Sequence, residues 1–224
     1  ALGFNMIYFT SDLHFSHKNI IKFCPTFRPK DINLMNEFLI NQWNSVVGDD
    51  DVVYNLGDVS FSHHKQEILD VLLQLKGTHH LILGNHDDVI RQNTQTFLTT
   101  KKACGKPALS SITEYGKIRL NQDKCKRTLI LSHYPMIEWE GCHKGWYHLY
   151  GHLHDRLAAV KGRALNVGFD LHGRLLSLDD IDNFLANLPL VNHFNIDDMP
   201  LTSPDCDKTA KEIKNWLTMM NAEQ

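Results

Sequence analysis

The sequence predicts one main domain with an α/β (α+β) fold, and three observations favour this class. A strand pattern followed by a polar turn and a helical pattern occurs three times in the first half of the chain. The second half changes to hairpin and short-strand patterns. The 224 residues, 42% of them hydrophobic, are enough for one sizeable core and few for two. Strands that alternate with helices form sheets whose functional side chains lie just beyond the strand ends.

The first half contains three short runs of apolar, β-branched and aromatic residues, and a polar turn follows each one. The turns are Ser11-Asp12-Leu13-His14, Gly57-Asp58 and Gly84-Asn85-His86-Asp87. Helical patterns accompany them at about His17 to Phe23, Asn33 to Val47 and His63 to Leu75. We therefore expect the three turns to carry the functional site.

The second half predicts a β-hairpin between about Ala108 and Leu131, with a turn at Gly116. Its last strand leads into Ser132-His133. A further strand precedes the segment Gly151-His152-Leu153-His154. Two more polar segments are thus expected at strand ends.

The C-terminal part differs from the rest. Ser177 and Asp180 have the spacing of a capping box at the start of a helix. We expect the main domain to cover residues 6–187 and a C-terminal extension to cover residues 188–224. The extension contains an acidic loop, Asp197 to Asp207, and an amphipathic helix, about Lys208 to Met220.

Composition excludes some classes of function. The formal net charge of −3 gives no whole-chain signal for nucleic acid or membrane. The five cysteines lack the two-residue spacing of a zinc knuckle or redox pair, which favours a reducing, cytoplasmic setting. No apolar run is long enough to span a bilayer, so we expect no membrane partner. The fourteen histidines, several of them next to acidic residues, make metal binding the first hypothesis.

Five short blocks of metal-ligating residue types stand at the ends of predicted strands. A single Asp-x-His, or a lone histidine at a strand end, is more often an ordinary surface or core residue than a ligand. Five blocks in the same structural context, each supplying oxygen or imidazole, indicate a metal site. The blocks are Asp12-x-His14, Gly57-Asp58, Gly84-Asn85-His86-Asp87, His133 and Gly151-His152-x-His154.

In this order the blocks resemble the signature of the calcineurin-like metallophosphoesterase superfamily, which runs Asp-x-His, Gly-Asp, Gly-Asn-His-Asp/Glu, His and Gly-His-x-His. The later segments Asn166–Asp170 and Ser177–Asp180 look like those of the small bacterial and phage phosphoesterases. The resemblance implies a four-layer αββα sandwich of two mixed β-sheets flanked by helices, with metals at one edge. It also implies an enzyme, a metal-dependent phosphoric ester hydrolase.

The resemblance further implies two divalent metal ions as cofactors. Together these ions clamp phosphoryl oxygens and provide a bridging hydroxide near neutral pH. Ligands without thiolate favour manganese, iron, zinc, nickel or cobalt, and the choice among them stays open. The first ion would be held by Asp12, His14, Asp58 and His154, and the second by Asp58, Asn85, His133 and His152.

Catalytic and substrate-binding roles are implied for five more residues. His86 is not a ligand in the family pattern and would protonate the leaving alkoxide. Asp87 would hold the His86 imidazole in the useful tautomer or, equally, would cap the following helix. Arg28 matches an arginine of the small bacterial members that can fork onto a phosphate. His17 and His148 flank the blocks and are further substrate-binding candidates, with ordinary helix or core packing as the alternative.

The substrate class is a narrower inference. Gly57-Asp58 is followed by Val59-Ser60-Phe61 instead of the Asp-Arg-Gly element of the superfamily's protein phosphatases. We expect hydrolysis of phosphodiesters in a small, nucleotide-like substrate, including cyclic nucleotides. A phosphomonoesterase or a nuclease of the same superfamily stays open, and the basic segment from Lys101 to Arg127 would be the nuclease's footprint. A non-catalytic interaction scaffold is disfavoured because His86 and every ligand position are filled. The oligomeric state is open.

Overall fold

The computed structural model describes residues 5–122, 125–192 and 204–222, without the side chains of residues 122 and 125. The chain divides into two compact units, Ala1–Val191 and Asn192–Gln224. The first unit contains both sheets and all of the candidate site. The second contains one described helix, and most of the predicted acidic loop from Asp197 to Asp207 lies outside the described residues.

The first sheet has five strands in the order β4-β3-β2-β1-β9. Strands β1 to β4 are parallel, and β9 is antiparallel to β1, so the sheet is mixed. The register sets Thr10 beside Asn55 and Asn55 beside Leu81. The polar turns after β1, β2 and β3 therefore leave the sheet at one edge. The strands are β1 (Ile7–Thr10), β2 (Val52–Asn55), β3 (Thr78–Ile82), β4 (Ser111–Thr113) and β9 (Leu176–Ser177).

The second sheet has four strands in the order β5-β6-β7-β8. The β5–β6 hairpin is antiparallel, whereas β6, β7 and β8 are parallel to one another. The predicted hairpin is confirmed, but Gly116 is not its turn, because this glycine begins β5 and pairs with Leu131. The strands are β5 (Gly116–Gln122), β6 (Cys125–Leu131), β7 (Tyr147–Tyr150) and β8 (Ala164–Asn166).

Side-chain caps define several helix starts. The Asp31 carboxylate accepts the N–H groups of Asn33 and Leu34 at 2.9 and 3.1 Å. The predicted capping box of Ser177 and Asp180 is confirmed. No helix in the described ranges is both long enough and apolar enough to cross a membrane. The helices are α1 (Ile20–Phe23), α2 (Ile32–Val46), α3 (Lys65–Gln74), α4 (Asp88–Gln92), α5 (Thr94–Thr99), α6 (Phe169–His172), α7 (Leu178–Leu185) and α8 (Cys206–Met220).

Two apolar layers hold the first unit together. Helices α2 and α3 cover one face of the first sheet with buried side chains such as Trp43 and Leu72. The opposite face packs against the second sheet, where Phe9 and Leu56 meet Leu149. Burial of such side chains contributes about 1.5–3 kcal/mol each. The predicted architecture of two mixed sheets flanked by helices is confirmed, and its ligand-bearing edge lies where β1 to β3 end.

Candidate metal centre

All seven predicted ligands follow strand ends of the two sheets. Asp12 and His14 come after β1, Asp58 after β2 and Asn85 after β3, whereas His133 follows β6 and the histidines of the last block follow β7. The contacts below divide them into two sets that share Asp58. The Asp12 half consists of Asp12, His14, Asp58 and His154, and the Asn85 half consists of Asp58, Asn85, His133 and His152.

In the Asp12 half, His14 is the central side chain. Its Nε2 atom lies 3.9 Å from Asp12 Oδ1 and 3.5 Å from Asp58 Oδ2. Its ring stacks against the ring of His154 at 5.0 Å between centroids. One ligand atom each from Asp12, His14 and His154 lie within 4.8 Å of one another, a spacing that a single ion can occupy.

In the Asn85 half, the amide oxygen of Asn85 lies between two histidines. His133 Nε2 is 3.0 Å and His152 Nδ1 is 3.1 Å from Asn85 Oδ1. His133 Nε2 is also 3.5 Å from Asp58 Oδ2. Because His133 Nδ1 lies 2.7 Å from the Leu56 carbonyl and donates to it, Nε2 keeps its lone pair for a ligand. Asp58 thus reaches histidines of both halves.

The state of His14 fits a metal ligand. Its side chain is 1% exposed, and neither ring nitrogen has a hydrogen-bond partner among the described residues. Burial keeps the pKa of His14 well below its usual range, so the imidazole is neutral. Burial also raises the pKa of Asp12 to about 7, which a nearby cation would reverse. A buried, unpaired imidazole is costly, and a divalent ion would satisfy it.

The backbone at the ligands is strained. Six non-glycine residues among those described have positive φ, and five of them are candidate ligands. Each such residue costs on the order of 1–3 kcal/mol, and strain of this kind concentrates at functional sites. The surrounding structure must therefore impose these conformations. The five are Asp12 (58°), His14 (50°), Asp58 (54°), His152 (69°) and His154 (51°).

The hydrogen bonds of the Asp87 carboxylate differ from those that either predicted role requires. Its buried carboxylate accepts the backbone N–H groups of Gly84 and Asp58 at 2.8 Å and of Val59 at 2.9 Å. In the described structure no hydrogen bond joins it to the His86 imidazole. Asp87 occupies the N-cap position of α4, but its side chain makes no capping hydrogen bond. It ties the Asp58 turn to the Asn85 turn.

His86 and His17 lie at the open side of the Asp12 half. The His86 side chain is exposed, and its backbone N–H donates to Asp58 Oδ1 at 2.8 Å. The His86 ring is 5.6 Å from the His14 ring and 5.0 Å from the Phe61 ring. His17 stacks on Phe61 at 3.9 Å, and burial lowers the pKa of His17 to about 4. The His86 ring is therefore open to solvent, whereas the His17 ring is half-buried against Phe61.

The predicted phosphate contact of Arg28 disagrees with the structure. Its guanidinium is fully buried and donates to Asp170 at 2.6 and 3.1 Å. It also donates to the carbonyls of Leu13 and Asp12 at 2.8 and 2.7 Å. Because these bonds occupy the guanidinium behind the ligands, Arg28 supports the turn after β1 and does not face the substrate.

The predicted substrate contact of His148 is corrected for a similar reason. The side chain is buried, with Nδ1 3.1 Å from the Ile130 carbonyl. The Met136 N–H donates to His148 Nε2 at 3.0 Å. Both ring nitrogens are thus used within the protein, and His148 holds the loop that follows His133.

Sequence reasoning missed Asp170. Its Oδ2 lies 2.9 Å from His154 Nδ1, and this hydrogen bond raises the pKa of His154. Burial alone would raise the pKa of Asp170, but its bonds to His154 and Arg28 lower it below the usual range. A carboxylate that fixes the second nitrogen of a metal-ligating histidine is common. The signal was the family-like segment Asn166–Asp170, whose aspartate had no assigned role.

Two exposed aromatic side chains beside the ligands were missed as well. Tyr134 is 49% exposed, and its ring lies 4.6 Å from the ring of His152 and 5.1 Å from that of His133. Phe61 is 37% exposed and contacts His86. Each follows a metal block closely in sequence, which was the available signal.

The chain is similar to several known proteins. The chain is 29% identical over 209 residues to Gene 66 protein of Mycobacterium phage L5, covering 84% of this chain and 95% of that protein. Uncharacterized protein MJ1445 of Methanocaldococcus jannaschii is 46% identical over 88 residues, which are 38% of this chain and 49% of that protein. A solved structure, the protein of unknown function AQ665 from Aquifex aeolicus, has the same fold, with a TM-score of 0.58 and 21% identity over 81% of this chain and 100% of its own.

The family described as calcineurin-like phosphoesterase matches residues 6–192, which include every candidate ligand. Its members depend on metal, in agreement with the Asp and His groups found here. The chain therefore belongs to the calcineurin-like phosphoesterase family of phosphoester hydrolases.

Proposed function

We propose that this protein hydrolyses phosphodiesters in small, nucleotide-like molecules and uses two divalent ions, with manganese among the candidates. The observation that supports this most is the position of Asp58, whose Oδ2 lies 3.5 Å from a histidine of each half. A shared carboxylate between two open, oxygen- and imidazole-rich half-sites suits a binuclear centre. The setting we propose is cytoplasmic.

The proposed ligands would form two metal sites that share one residue. Asp12, His14 and His154 would hold one ion, Asn85, His133 and His152 the other, and Asp58 both. When bound, such ions supply Lewis-acid stabilisation of phosphoryl oxygens and lower the cost of forming hydroxide near neutral pH. The Asp170 carboxylate fixes His154 from behind.

His86 would donate the proton to the departing oxygen. Its backbone is held by the hydrogen bond to Asp58 Oδ1, while its ring stays exposed beside the Asp12 half. A leaving alkoxide of high pKa needs a proton, and an imidazole that can reach it is a suitable acid. His17 and the Phe61 ring border the same side and would contact the leaving group.

A small substrate is favoured over nucleic acid. Four of the eight lysines and arginines between Lys101 and Arg127 have side-chain partners within the protein, and Lys106, which pairs with Asp50, is one of them. Lys102 is buried and donates to the Gly77 carbonyl, and Lys117 and Arg127 form ion pairs with Glu140 and Asp182. A nucleic-acid surface needs basic groups free to meet phosphates.

The deciding experiment strips the protein with chelator and reloads it separately with Mn, Ni, Zn and Mg. Hydrolysis of bis-p-nitrophenyl phosphate and of p-nitrophenyl phosphate is then compared for each ion. We expect diester cleavage to return with a transition metal and to vanish in Asp58→Asn, but not in Asp70→Asn, which alters an exposed carboxylate of α3. A preference for the monoester would replace the proposal with a phosphomonoesterase. No turnover despite two bound ions would favour a non-catalytic interaction scaffold.

A further inference from the structure

Tyr134 stands out among the exposed aromatic side chains. Its ring contacts the rings of two proposed ligands, His133 and His152, yet half of its surface faces solvent. The exposed ring leaves a flat apolar surface next to the Asn85 half.

A cavity of about 140 Å³ opens at the same place. Asn85 and His133 line it from the metal side, and Tyr134 forms one wall. Whole-ligand sites usually measure roughly 300–1,000 Å³. The cavity is therefore of a size for one ring of a substrate whose phosphate lies on the ligands.

The remaining walls carry polar groups. Ser132, Arg91 and Glu114 line the cavity, and Arg91 Nε lies 3.3 Å from Glu114 Oε1. The Glu114 carboxylate is largely exposed and can accept further hydrogen bonds, while Arg91 and the Ser132 hydroxyl provide donors. An aromatic face with donors and acceptors at its rim suits a heterocyclic base better than a plain hydrocarbon ring.

The position relative to His86 indicates which part of the substrate enters. The His86 ring contacts the Phe61 ring and that of His14, a member of the Asp12 half. The Tyr134 ring instead contacts the rings of His133 and His152, which belong to the Asn85 half. The leaving group must face the proposed acid. The group that faces Tyr134 is then the ester substituent that stays on the phosphate.

On the basis of the proposed function, we propose that Tyr134, with Ser132, Arg91 and Glu114, forms a subsite for the nucleobase on the retained side of a nucleoside phosphodiester. Stacking on Tyr134 selects the base, and the polar rim orients it. The subsite makes the substrate a nucleoside phosphodiester, and it sets no requirement on the leaving group.

Two substrates with one leaving group test this. Thymidine 5′-(p-nitrophenyl) phosphate and methyl p-nitrophenyl phosphate are compared by kcat/KM in the metal-loaded wild type, Tyr134→Ala, Tyr134→Phe and Phe184→Ala. Phe184 is another exposed aromatic residue, on α7. Binding of thymidine 5′-monophosphate and of deoxyribose 5-phosphate is measured by calorimetry in the same proteins.

We expect the wild type to prefer the thymidine compounds by about ten- to hundred-fold, the range that base stacking supports. Tyr134→Ala should lose this preference, so that its kcat/KM for the thymidine diester falls to that for the methyl diester, whereas Tyr134→Phe and Phe184→Ala should keep it. Equal treatment of both substrates by the wild type, or a preference that survives in Tyr134→Ala, would overturn the subsite. An equal loss of kcat/KM on both substrates in Tyr134→Ala would also overturn it, because Tyr134 would then act only by supporting His152.

The binding data separate this proposal from the proposed function. If neither diester is hydrolysed with any ion, the diesterase proposal fails. The subsite then stands only if thymidine 5′-monophosphate binds more tightly than deoxyribose 5-phosphate and Tyr134→Ala removes the difference.

Discussion

The Asp87 carboxylate accepts the backbone N–H of Asp58 at 2.8 Å, although the two residues are 29 positions apart. The same carboxylate accepts the N–H of Gly84, next to Asn85. The turns after β2 and β3 are thus joined by one buried side chain. Asp58, the proposed ligand of both ions, has an unfavourable positive φ that neighbouring contacts must maintain. The hydrogen bonds of Asp87 are such contacts, so they help to fix the position of Asp58.

Asp87→Asn should weaken metal binding and lower stability together. The amide replaces one acceptor oxygen by a donor that faces backbone N–H groups, and an unsatisfied buried donor costs about 1–3 kcal/mol. A disturbed Asp58 turn should reduce metal affinity about 10- to 100-fold, the usual effect of losing a supporting contact. Calorimetric metal titration and urea unfolding measure the two effects.

The neighbouring Asp88→Asn is the matched control for this change. Its carboxylate is exposed and pairs with Arg91 on the protein surface, so metal affinity and stability should both stay close to wild type. If Asp87→Asn instead kept its metals and its stability but lost activity on poor leaving groups, the original expectation that Asp87 orients His86 would be correct.

His86→Ala should separate proton donation from metal binding. For a diester with a leaving group of high pKa, kcat should fall by about 10²–10⁴-fold, the usual contribution of a general acid. For a nitrophenyl diester the loss should be small, because nitrophenolate leaves without a proton. Metal content, measured by atomic absorption, should not change. Equal losses of kcat on both substrates would rule out the acid role of His86. The control is His64→Ala, which alters an exposed histidine.

Much of the centre could be predicted from sequence because its proposed ligands directly follow strands in the chain. Parallel strands end at one edge, so residues that directly follow β1, β2 and β3 must meet there. Asp12, Asp58 and Asn85 needed only that rule and the family-like spacing. The supporting residues were less predictable. Their partners lie far away in the chain, and a charged residue type does not reveal whether it faces solvent or a backbone group.

Arg28 and α2 illustrate this limit. The Arg28 guanidinium meets Asp170, 142 positions later, and a fork of donors fits a carboxylate as well as it fits a phosphate. On α2 the buried stripe runs through Met35, Leu39 and Trp43, at intervals of four residues. Leu34, on the same helix, is equally apolar but 58% exposed, because the packing partners fix the rotation of the helix.

Arg28→Lys should destabilise the protein without changing KM. A lysine ammonium cannot reproduce the two-pronged contact with Asp170 and the bonds to the Asp12 and Leu13 carbonyls. We expect the free energy of unfolding to fall by about 2 kcal/mol, in the range for charge-assisted buried hydrogen bonds. Urea unfolding and steady-state kinetics are the measurements. Arg156→Lys, at an exposed arginine, should have no effect. A raised KM with unchanged stability would instead support the predicted contact between Arg28 and the substrate phosphate.

Gly84→Ala should disrupt the proposed centre through a steric clash. A Cβ at Gly84 would lie 2.2 Å from Asp58 Oδ1 and 2.9 Å from His133 Cε1, closer than real Cβ contacts. Because both neighbours are proposed ligands, the methyl group should expel one of them and lower metal occupancy. At Gly48 the nearest atom would be 3.4 Å away, so Gly48→Ala should bind metal normally. Full metal occupancy in Gly84→Ala would show that the turns can move apart.

His148 should make stability depend on pH. Burial lowers the pKa of His148 to about 4, against an ordinary value of 6.5, so the native state requires the neutral ring. The stability that it contributes is present above pH 6.5 and is lost as the pH falls toward 4, by about 3 kcal/mol at most. His148→Gln cannot titrate, so its free energy of unfolding should decrease less between pH 7 and pH 4.5 than that of the wild type or of His64→Gln. Urea unfolding at both pH values measures the difference, and parallel decreases in all three proteins would show that the pKa of His148 is the same in the folded and unfolded states.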